Sequence, residues 1–187
     1  ALEASVQTSE QGFDWSWQAA ALDSPAAAII ERHHLPEGYT SECAPRAVAW
    51  VEAVAESLER GMLLVVVYGY PADEYYHPDR VAGTLMCHYR HWAHGDPFRL
   101  PGLQDITAHV NFSALAKAGR AAGFKLAGFS NQEAFLLALG LTDLAESGDN
   151  TESRVRISHE IQQLVLPSGM GERFKALALT KGIEGSL

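Results

Sequence analysis

Cysteine is scarce in this sequence, since Cys43 and Cys87 are the only two among 187 residues. They match neither a disulfide framework nor a CxxC motif, which favours a reducing, cytosol-like compartment. No apolar run approaches the roughly 20 residues that a membrane-spanning helix needs. The first ten residues lack the basic and apolar regions of a secretion signal. We therefore expect a protein that is neither secreted nor anchored by a membrane helix.

Basic residues are also few. Lysine and arginine number 14 against 23 aspartate and glutamate residues, which gives a formal net charge of −9. Proteins that bind a nucleic-acid backbone carry a basic face, so no nucleic-acid partner is expected. The length suits one hydrophobic core, and we predict a single domain over residues 1–187.

A glycine-rich turn between a strand and a helix is missing as well. Folds that bind nucleotide-type cofactors use such a turn to bring the backbone close to the ligand. The one comparable run, GMGE at Gly169–Glu172, precedes a strand pattern and not a helix. We interpret it as a turn, so the sequence identifies no cofactor-binding residue.

The clearest structural unit is a helix followed by an apolar strand. Pro45 suits the first turn of a helix whose apolar residues recur at helical spacing, and Gly61 suits the position after its end. The unbroken run Met62–Val67 is typical of a parallel strand buried on both faces. This order predicts an α/β sheet.

Further elements follow from periodicity and capping residues. We expect the polar stretch 144–153 to be mobile. The predicted strands are Phe13–Trp17, Phe124–Phe129 and Arg173–Thr180, and the predicted helices cover Ala26–Ile30, Asn111–Gly123, Asn131–Leu139 and Arg154–Leu166, with a turn at Leu35–Tyr39.

Residues Tyr68–Ala108 show no helical pattern and contain four prolines with aromatic residues and histidines between them. A long irregular loop that leaves the carboxyl end of a buried strand is usually functional. We therefore expect this region to form the wall of a ligand cavity.

Three histidines lie within CHYRHWAH, the segment Cys87–His94. On a helix, His88, His91 and His94 would not converge. In an extended segment His88 and His94 would share one face and His91 would lie opposite. Neither arrangement gives the three ligands of a catalytic zinc site, so we predict no metal and place the histidines in a loop over a cavity. A metal-dependent hydrolase stays as a remote alternative.

Acidic and aromatic side chains near this loop have two possible roles each. The acids can cap and tether loops, or they can orient a substrate cation and favour the loss of its proton. The tyrosines in DEYYHP can hold a cation by cation–π contact or can fill the top of the sheet. The acids are Glu42, Asp73, Glu74 and Asp105, and the basic side chains that could instead hold them are Arg80 and Arg90.

Six collinear stretches between Leu35 and the end of the chain carry a family resemblance. They are LPEGYTSECAP, GMLLVVVYGYPADEYYHPDR, GTLMCHYRHWAHGDPF, PGLQDITAHVNFSALA, NQEAFLLALG and LVLPSGMGERFKALAL. In these stretches the sequence resembles the C-terminal half of the MidA-type methyltransferases. That family is similar to the mitochondrial arginine methyltransferases that assist assembly of respiratory complex I.

The resemblance implies the second half of a class I, Rossmann-like methyltransferase sheet, mixed because its last strand is antiparallel, plus a long irregular loop region. It implies residues 35–187 as the family region after an N-terminal strand and helix at 1–34. Strands five, six and seven would be Met62–Val67, Phe124–Phe129 and Arg173–Thr180. Val67 and Gly169 depart from the family pattern, which has Asp and Glu at these positions.

The implied cofactor is S-adenosylmethionine, the implied acceptor is an arginine of a protein such as a complex I subunit, and the implied location is a bacterial-type cytoplasm or the mitochondrial matrix. We expect weak cofactor binding and no activity from this chain alone. An N-terminal half or a second copy could cover the exposed sheet edge, and a non-catalytic assembly module is the alternative. The candidate residues are Glu42, Asp105 and His109 for catalysis, and Tyr68, Tyr75, Tyr76, Arg80, His88 and His91 for lining the acceptor cavity.

Overall fold

The structure is a computed structural model that describes residues 1–10, 12–145 and 150–184. The chain divides into two compact units. Unit 1 comprises Ala1–Pro45 and Asp73–His109, and unit 2 comprises Arg46–Ala72 and Val110–Leu187. The stretch 144–153, which we expect to be mobile, lies partly outside the described residues.

Nine strands and seven helices are found among the described residues. None of these helices has the length and apolar character that crossing a bilayer requires. In chain order the elements are β1 (Leu2–Ser9), β2 (Gly12–Ala19), α1 (Pro25–His33), α2 (Pro45–Ser57), β3 (Gly61–Tyr70), α3 (Ala72–Tyr75), β4 (Met86–Tyr89), β5 (Trp92–His94), β6 (Asp105–Thr107), β7 (Val110–Asn111), α4 (Phe112–Ala121), β8 (Lys125–Asn131), α5 (Gln132–Ala138), α6 (Leu141–Ala145), α7 (Thr151–Val165) and β9 (Phe174–Lys181).

In unit 1, β1 and β2 form an antiparallel hairpin with one apolar and one polar face. Val6 lies opposite Trp15, and Ala4 lies opposite Trp17. The Phe98 ring packs on the apolar face, 5.0 Å from the Trp15 ring centroid. The predicted strand in this region is confirmed, but its predicted half-burial is wrong, because most side chains of the apolar face are exposed.

The region expected to be an irregular loop contains a small antiparallel sheet in the order β5-β4-β6. CHYRHWAH supplies β4, β5 and the turn between them. Arg90 and His91 form that turn with φ values of 46° and 68°, as the two central residues of a type I′ turn do. The expectation of an irregular stretch is therefore wrong for this segment. The sequence did not indicate the turn because type I′ turns usually carry asparagine or glycine.

Unit 2 is built on a four-stranded sheet in the order β7-β3-β9-β8. The last strand, β9, lies between β3 and β8 and is antiparallel to both, while β3 and β7 are parallel. The predicted mixed α/β sheet is thus confirmed. Helices α2 and α4 supply apolar side chains to the core on one face of this sheet, and the buried core residues are Val51, Ala55, Phe112, Leu115, Ala118, Phe124, Leu177 and Leu179.

The prediction that β3 is buried on both faces is wrong. Its side chains alternate between partly buried and exposed, because the core of α2 and α4 meets only one face of the strand. The core-facing side chains are Leu63, Val65 and Val67, and the exposed ones are Met62 (42%), Leu64 (43%) and Val66 (36%).

Most predicted helix boundaries hold. Pro45 begins α2, and the side chains of Asn111 and Asn131 accept hydrogen bonds from backbone N–H groups at the starts of α4 and α5. Gly61 does not cap α2 as expected. The helix ends at Ser57, and Gly61 is the first residue of β3, with φ of +153°.

The predicted turn at GMGE is confirmed between α7 and β9. A side chain at Gly169 would meet the backbone carbonyl of Gln163, and one at Gly171 would meet that of Val165. Close packing against α7 therefore explains why glycine occupies both positions.

Candidate functional site in unit 1

The Glu42 side chain receives four hydrogen bonds. The backbone N–H groups of Thr84 and Leu85 donate to Oε1 at 2.8 and 2.9 Å. The Thr84 hydroxyl donates to Oε2 at 2.8 Å, and the Tyr75 hydroxyl donates to Oε2 at 3.2 Å. Two oxygens with two lone pairs each offer four acceptor positions, and all four are used. The carboxylate is therefore fixed in one orientation and in turn fixes the backbone at 84–85.

The backbone just before Thr84 passes close to this carboxylate. Gly83 has φ of +76°, and a Cβ atom there would lie 2.5 Å from Glu42 Oε1. The chain segment that carries Glu42 is joined to this segment by a parallel bridge between Thr40 and Ala82. Only glycine fits both the left-handed conformation and the narrow space.

Tyr75, which donates to Glu42, packs against a second buried tyrosine, Tyr76. The ring centroids of Tyr75 and Tyr76 are 5.0 Å apart, and the His33 ring stacks on Tyr76 at 4.3 Å. Burial raises the pKa of Tyr75 strongly, and the Glu42 carboxylate raises it further. The phenol therefore stays protonated at neutral pH and acts as a hydrogen-bond donor.

His109 is joined to the Glu42 group through Thr84, whose hydroxyl oxygen accepts the His109 backbone N–H at 3.0 Å. Burial lowers the pKa of His109, and the positive charge of Arg80 lowers it further. The carboxylate of Glu42 and a backbone hydrogen bond with Thr84 act in the opposite direction but do not reverse the shift. Since the ordinary value is 6.5, the imidazole is neutral at pH 7. It can accept a proton.

The Arg80 guanidinium lies in this group, where its Nε atom donates to the backbone carbonyl of Glu74 at 3.3 Å. Its charge acts on His109 and also on Tyr39, whose pKa is raised chiefly by burial while the charge of Arg80 opposes that rise. Arg80 thus contributes an electrostatic field to the site.

Three other candidate residues lie on the small sheet of unit 1. His88 in β4 is paired directly with Asp105 in β6, so both side chains share one face of this sheet. His91 lies in the turn, and His94 is paired with Cys87 on the opposite face. The segment is not one extended strand, in which His88 and His94 would share a face, because the turn at Arg90–His91 reverses the chain.

Tyr68 lies in unit 2, near the end of β3, where its ring meets the Phe174 ring edge-on at 5.7 Å. The structure thus brings Glu42, Tyr75 and His109 together within unit 1. Residues Asp105, His88 and His91 belong to the small sheet of the same unit. Among the described residues, no three histidine, cysteine or acidic side chains are grouped so that they could hold a metal ion.

Gly83 and Thr84 were not among the candidates from the sequence, although the structure places both against the Glu42 carboxylate. Both belong to GTLMCHYRH, one of the stretches that carry the family resemblance. A glycine followed by a hydroxyl residue just before a strand is a usable signal. It lets a loop approach an acceptor closely and then donate to it through both a backbone N–H and a hydroxyl.

Comparison with known families and curated proteins gives consistent matches. Residues 2–130 match the model of a family described as "Putative S-adenosyl-L-methionine-dependent methyltransferase". The protein arginine methyltransferase NDUFAF7, mitochondrial, of Bos taurus is 30% identical over 162 residues, which are 83% of this chain and 34% of the relative. The Rattus norvegicus protein of the same name is 29% identical over 164 residues, 83% of this chain and 35% of the relative.

Solved structures match over the whole chain. A Burkholderia thailandensis protein crystallised with S-adenosyl-homocysteine is 43% identical, with a TM-score of 0.92 over 100% of this chain and 49% of that protein. A native structure from the same organism is 42% identical, with a TM-score of 0.90 over 100% of this chain and 50% of that protein. The chain therefore spans about half the length of these solved relatives and about a third of the curated ones.

Proposed function

Because the chain belongs to the S-adenosyl-L-methionine-dependent methyltransferase family, we propose that it forms the acceptor side of a protein arginine N-methyltransferase. The curated relatives are named protein arginine methyltransferases, which supports arginine as the methyl acceptor. A subunit of respiratory complex I is the acceptor protein that the sequence resemblance implies. The corresponding location is a bacterial-type cytoplasm or the mitochondrial matrix.

The observation that carries this proposal is the position of His109, whose backbone N–H donates to the Thr84 hydroxyl of the Glu42 hydrogen-bond group at 3.0 Å. An arginine guanidinium is protonated at all physiological pH values, so methylation of one of its nitrogens requires that a proton leave. The pKa of His109 is lowered chiefly by burial. His109 is thus ready to take that proton on a ring nitrogen.

Glu42 and Thr84 act through position in this proposal. All acceptor positions of the Glu42 carboxylate are engaged by Thr84, Leu85 and Tyr75, which leaves none for a substrate guanidinium. Thr84 in turn accepts the His109 backbone N–H. Glu42 therefore holds the segment that places His109, while Asp105 and His88, exposed on one sheet face, are the side chains available to contact the substrate peptide.

S-adenosylmethionine is the cofactor of the family. Two glycines at which the backbone approaches other atoms closely face the protein's own atoms and not an open space. The Val110 carbonyl lies against Gly69, and the Leu179 side chain lies against Gly119. The turn at Gly169 is filled by α7 in the same way. We propose that the cofactor is held mainly by the part of the fold that lies outside the region matched in the solved relatives.

A chimera of this chain with the portion of the Burkholderia thailandensis relative that it does not cover tests the proposal. We expect it to add a methyl group to arginine in peptides, seen by mass spectrometry. His109→Gln should lower kcat about 100-fold or more with KM little changed. The control His159→Gln, exposed on α7, should leave both constants unchanged.

Methylation of a residue other than arginine, or full activity of the His109→Gln chimera, would refute the proposed role. The second candidate is a non-catalytic assembly module. A chimera that binds S-adenosylmethionine but transfers no methyl group to any peptide or protein would support that second candidate.

A further inference from the structure

Unit 2 contains a cavity of about 160 Å³ between α4 and the strands β8 and β9, and its lining is almost entirely apolar. Phe112 and Leu177 in this lining are buried members of the core cluster, so one side of the cavity is fixed by the core. Leu126 and Phe129 are 49% and 40% exposed. The cavity therefore opens to solvent at β8, which forms one end of the sheet.

The size and lining of the cavity suit one six-membered ring. A cavity of about 150 Å³ lined by leucine, isoleucine and phenylalanine binds benzene. The ring centroids of Phe112 and Phe129 are 5.2 Å apart, and both rings line the cavity. Aromatic pairs gain free energy beyond the burial of their area, so these two rings favour an aromatic group over an aliphatic one.

Two polar side chains of α4 are available beside the apolar lining. The Ser113 oxygen accepts the Ala72 backbone N–H at 2.9 Å, which leaves the hydroxyl proton to be donated. Lys117 lies one helical turn after Ser113 and next to the lining residue Ala116. Within the described part of the chain, the Lys117 ammonium has no hydrogen bond or ion pair. Both side chains can therefore donate to one anionic group of a bound molecule.

The elements around the cavity are basic, although the chain as a whole is acidic. Two lysine or arginine residues lie in α4, one in β8 and two in β9, and these three elements contain no aspartate or glutamate. The whole chain has 14 basic against 23 acidic residues. An anion is therefore attracted to this part of unit 2 and repelled by the acidic remainder of the chain.

We infer that this cavity binds a small aromatic carboxylate, with its ring against Phe112 and Phe129 and its carboxylate at Ser113 and Lys117. A neutral arene would leave both polar groups without a partner, and a short aliphatic acid would leave the apolar lining exposed. Pockets for larger ligands measure about 300–1,000 Å³, so a nucleotide-type cofactor is too large for this site. The inference does not depend on the proposed function.

Titration of this chain with phenylacetate, followed by NMR of the backbone amides, tests the inference. We expect the amide signals of Ser113, Ala116 and Phe129 to shift with a Kd of about 1 mM or below, as suits a ligand of this size. Phenylacetamide has the ring without the charge and should bind at least about threefold more weakly, because the ion pair with Lys117 is lost. Acetate, which has no ring, should leave these signals unchanged.

Lys117→Gln should abolish the preference for phenylacetate over phenylacetamide. The matched control is Lys125→Gln, which removes the same charge. Adjacent side chains of a strand point to opposite faces, so Lys125 lies on the face away from the lining residue Leu126, and its replacement should keep the preference. Ala116→Leu fills part of the cavity and should weaken the binding of both ring compounds at least about tenfold.

Four outcomes overturn the inference. They are an absence of amide shifts at about 10 mM phenylacetate, equal binding of phenylacetate and phenylacetamide, a preference that Lys117→Gln leaves intact, and full binding by a folded Ala116→Leu variant. Circular dichroism checks that each variant is folded. The titrations of the unsubstituted chain with the three compounds do not depend on any variant.

Discussion

Glu42→Gln tests whether the Glu42 carboxylate organises unit 1. Glutamine has the same shape, and its Oε1 can keep both backbone hydrogen bonds from Thr84 and Leu85. Its amide nitrogen would then face the hydroxyls of Thr84 and Tyr75, which now donate to Glu42 Oε2. Both hydroxyls would have to turn and accept instead of donating.

The magnitude follows from these four bonds. Hydrogen bonds to a charged group contribute about 1.5–3 kcal/mol and neutral ones about 0.5–1.5, so each bond loses about 1 kcal/mol, or about 4 kcal/mol together. The neutral amide does not have to be desolvated as a charge, whereas the partly buried Glu42 carboxylate does, and this difference offsets part of the loss. We expect Glu42→Gln to lower the free energy of unfolding by about 2–3 kcal/mol, a large share of the about 5–15 kcal/mol that stabilises a typical domain.

Urea unfolding followed by tryptophan fluorescence measures this loss. The matched control is Glu37→Gln, an exposed residue of the preceding turn, which should change stability by less than about 0.5 kcal/mol. A loss at Glu42 no larger than at Glu37 would show that the four hydrogen bonds do not organise the site, and the positional role of Glu42 would have to be abandoned.

Four further outcomes are expected. Gly83→Ala should destabilise the chain by more than the about 1–2 kcal/mol that left-handed strain alone would cost, because the new Cβ would lie 2.5 Å from Glu42 Oε1. The control is Gly38→Ala, where φ is +82° but no atom lies within 4 Å of the new Cβ. Equal losses of stability in the two variants would contradict the clash. The pKa of His109 is lowered on folding, so below pH 6.5 the unfolded chain binds more protons than the folded chain, and the stability decreases as the pH is lowered. Unfolding midpoints at pH 7 and 5.5 should therefore differ more in the unsubstituted chain than in His109→Gln. Gly169→Glu, which introduces the residue that the family resemblance implies at this position, should reduce thermal stability because its side chain would meet a backbone carbonyl of α7. Calorimetry should detect no micromolar binding of S-adenosylmethionine to this chain alone, and such binding would mean that a cofactor cradle exists within it.

The core of unit 2 could be predicted because local signals and packing agree there. Pro45, Asn111 and Asn131 begin helices where the sequence indicates, and β9 is antiparallel as the resemblance implies. Burial of β3 was predicted wrongly for a physical reason. An unbroken apolar run indicates a strand with both faces covered, but in this structure one face of β3 is exposed.

The small sheet and the Glu42 group could not be predicted from local patterns. The turn at Arg90–His91 has positive φ at both residues but lacks the Asn-Gly, Asp-Gly or Gly-Gly pair that usually indicates such a turn, so the sequence gives no hairpin signal. Glu42 and Thr84 are 42 positions apart, and no periodicity joins residues at that separation. Acid and histidine positions could be identified as candidates, but only the structure shows that the Glu42 carboxylate is engaged by Thr84, Leu85 and Tyr75.

The β1–β2 hairpin keeps its apolar side chains on one face and its polar side chains on the other, which restricts the insertions and deletions that it can accept. Adjacent side chains alternate between its faces, so inserting or deleting a single residue in β1 would turn polar side chains such as Gln7 toward the Phe98 ring. The same change in β2 would send Trp15 to the face away from that ring. Insertions and deletions in these strands should therefore be tolerated only in steps of two residues. Most point substitutions on the polar face should leave the packing of the hairpin unchanged.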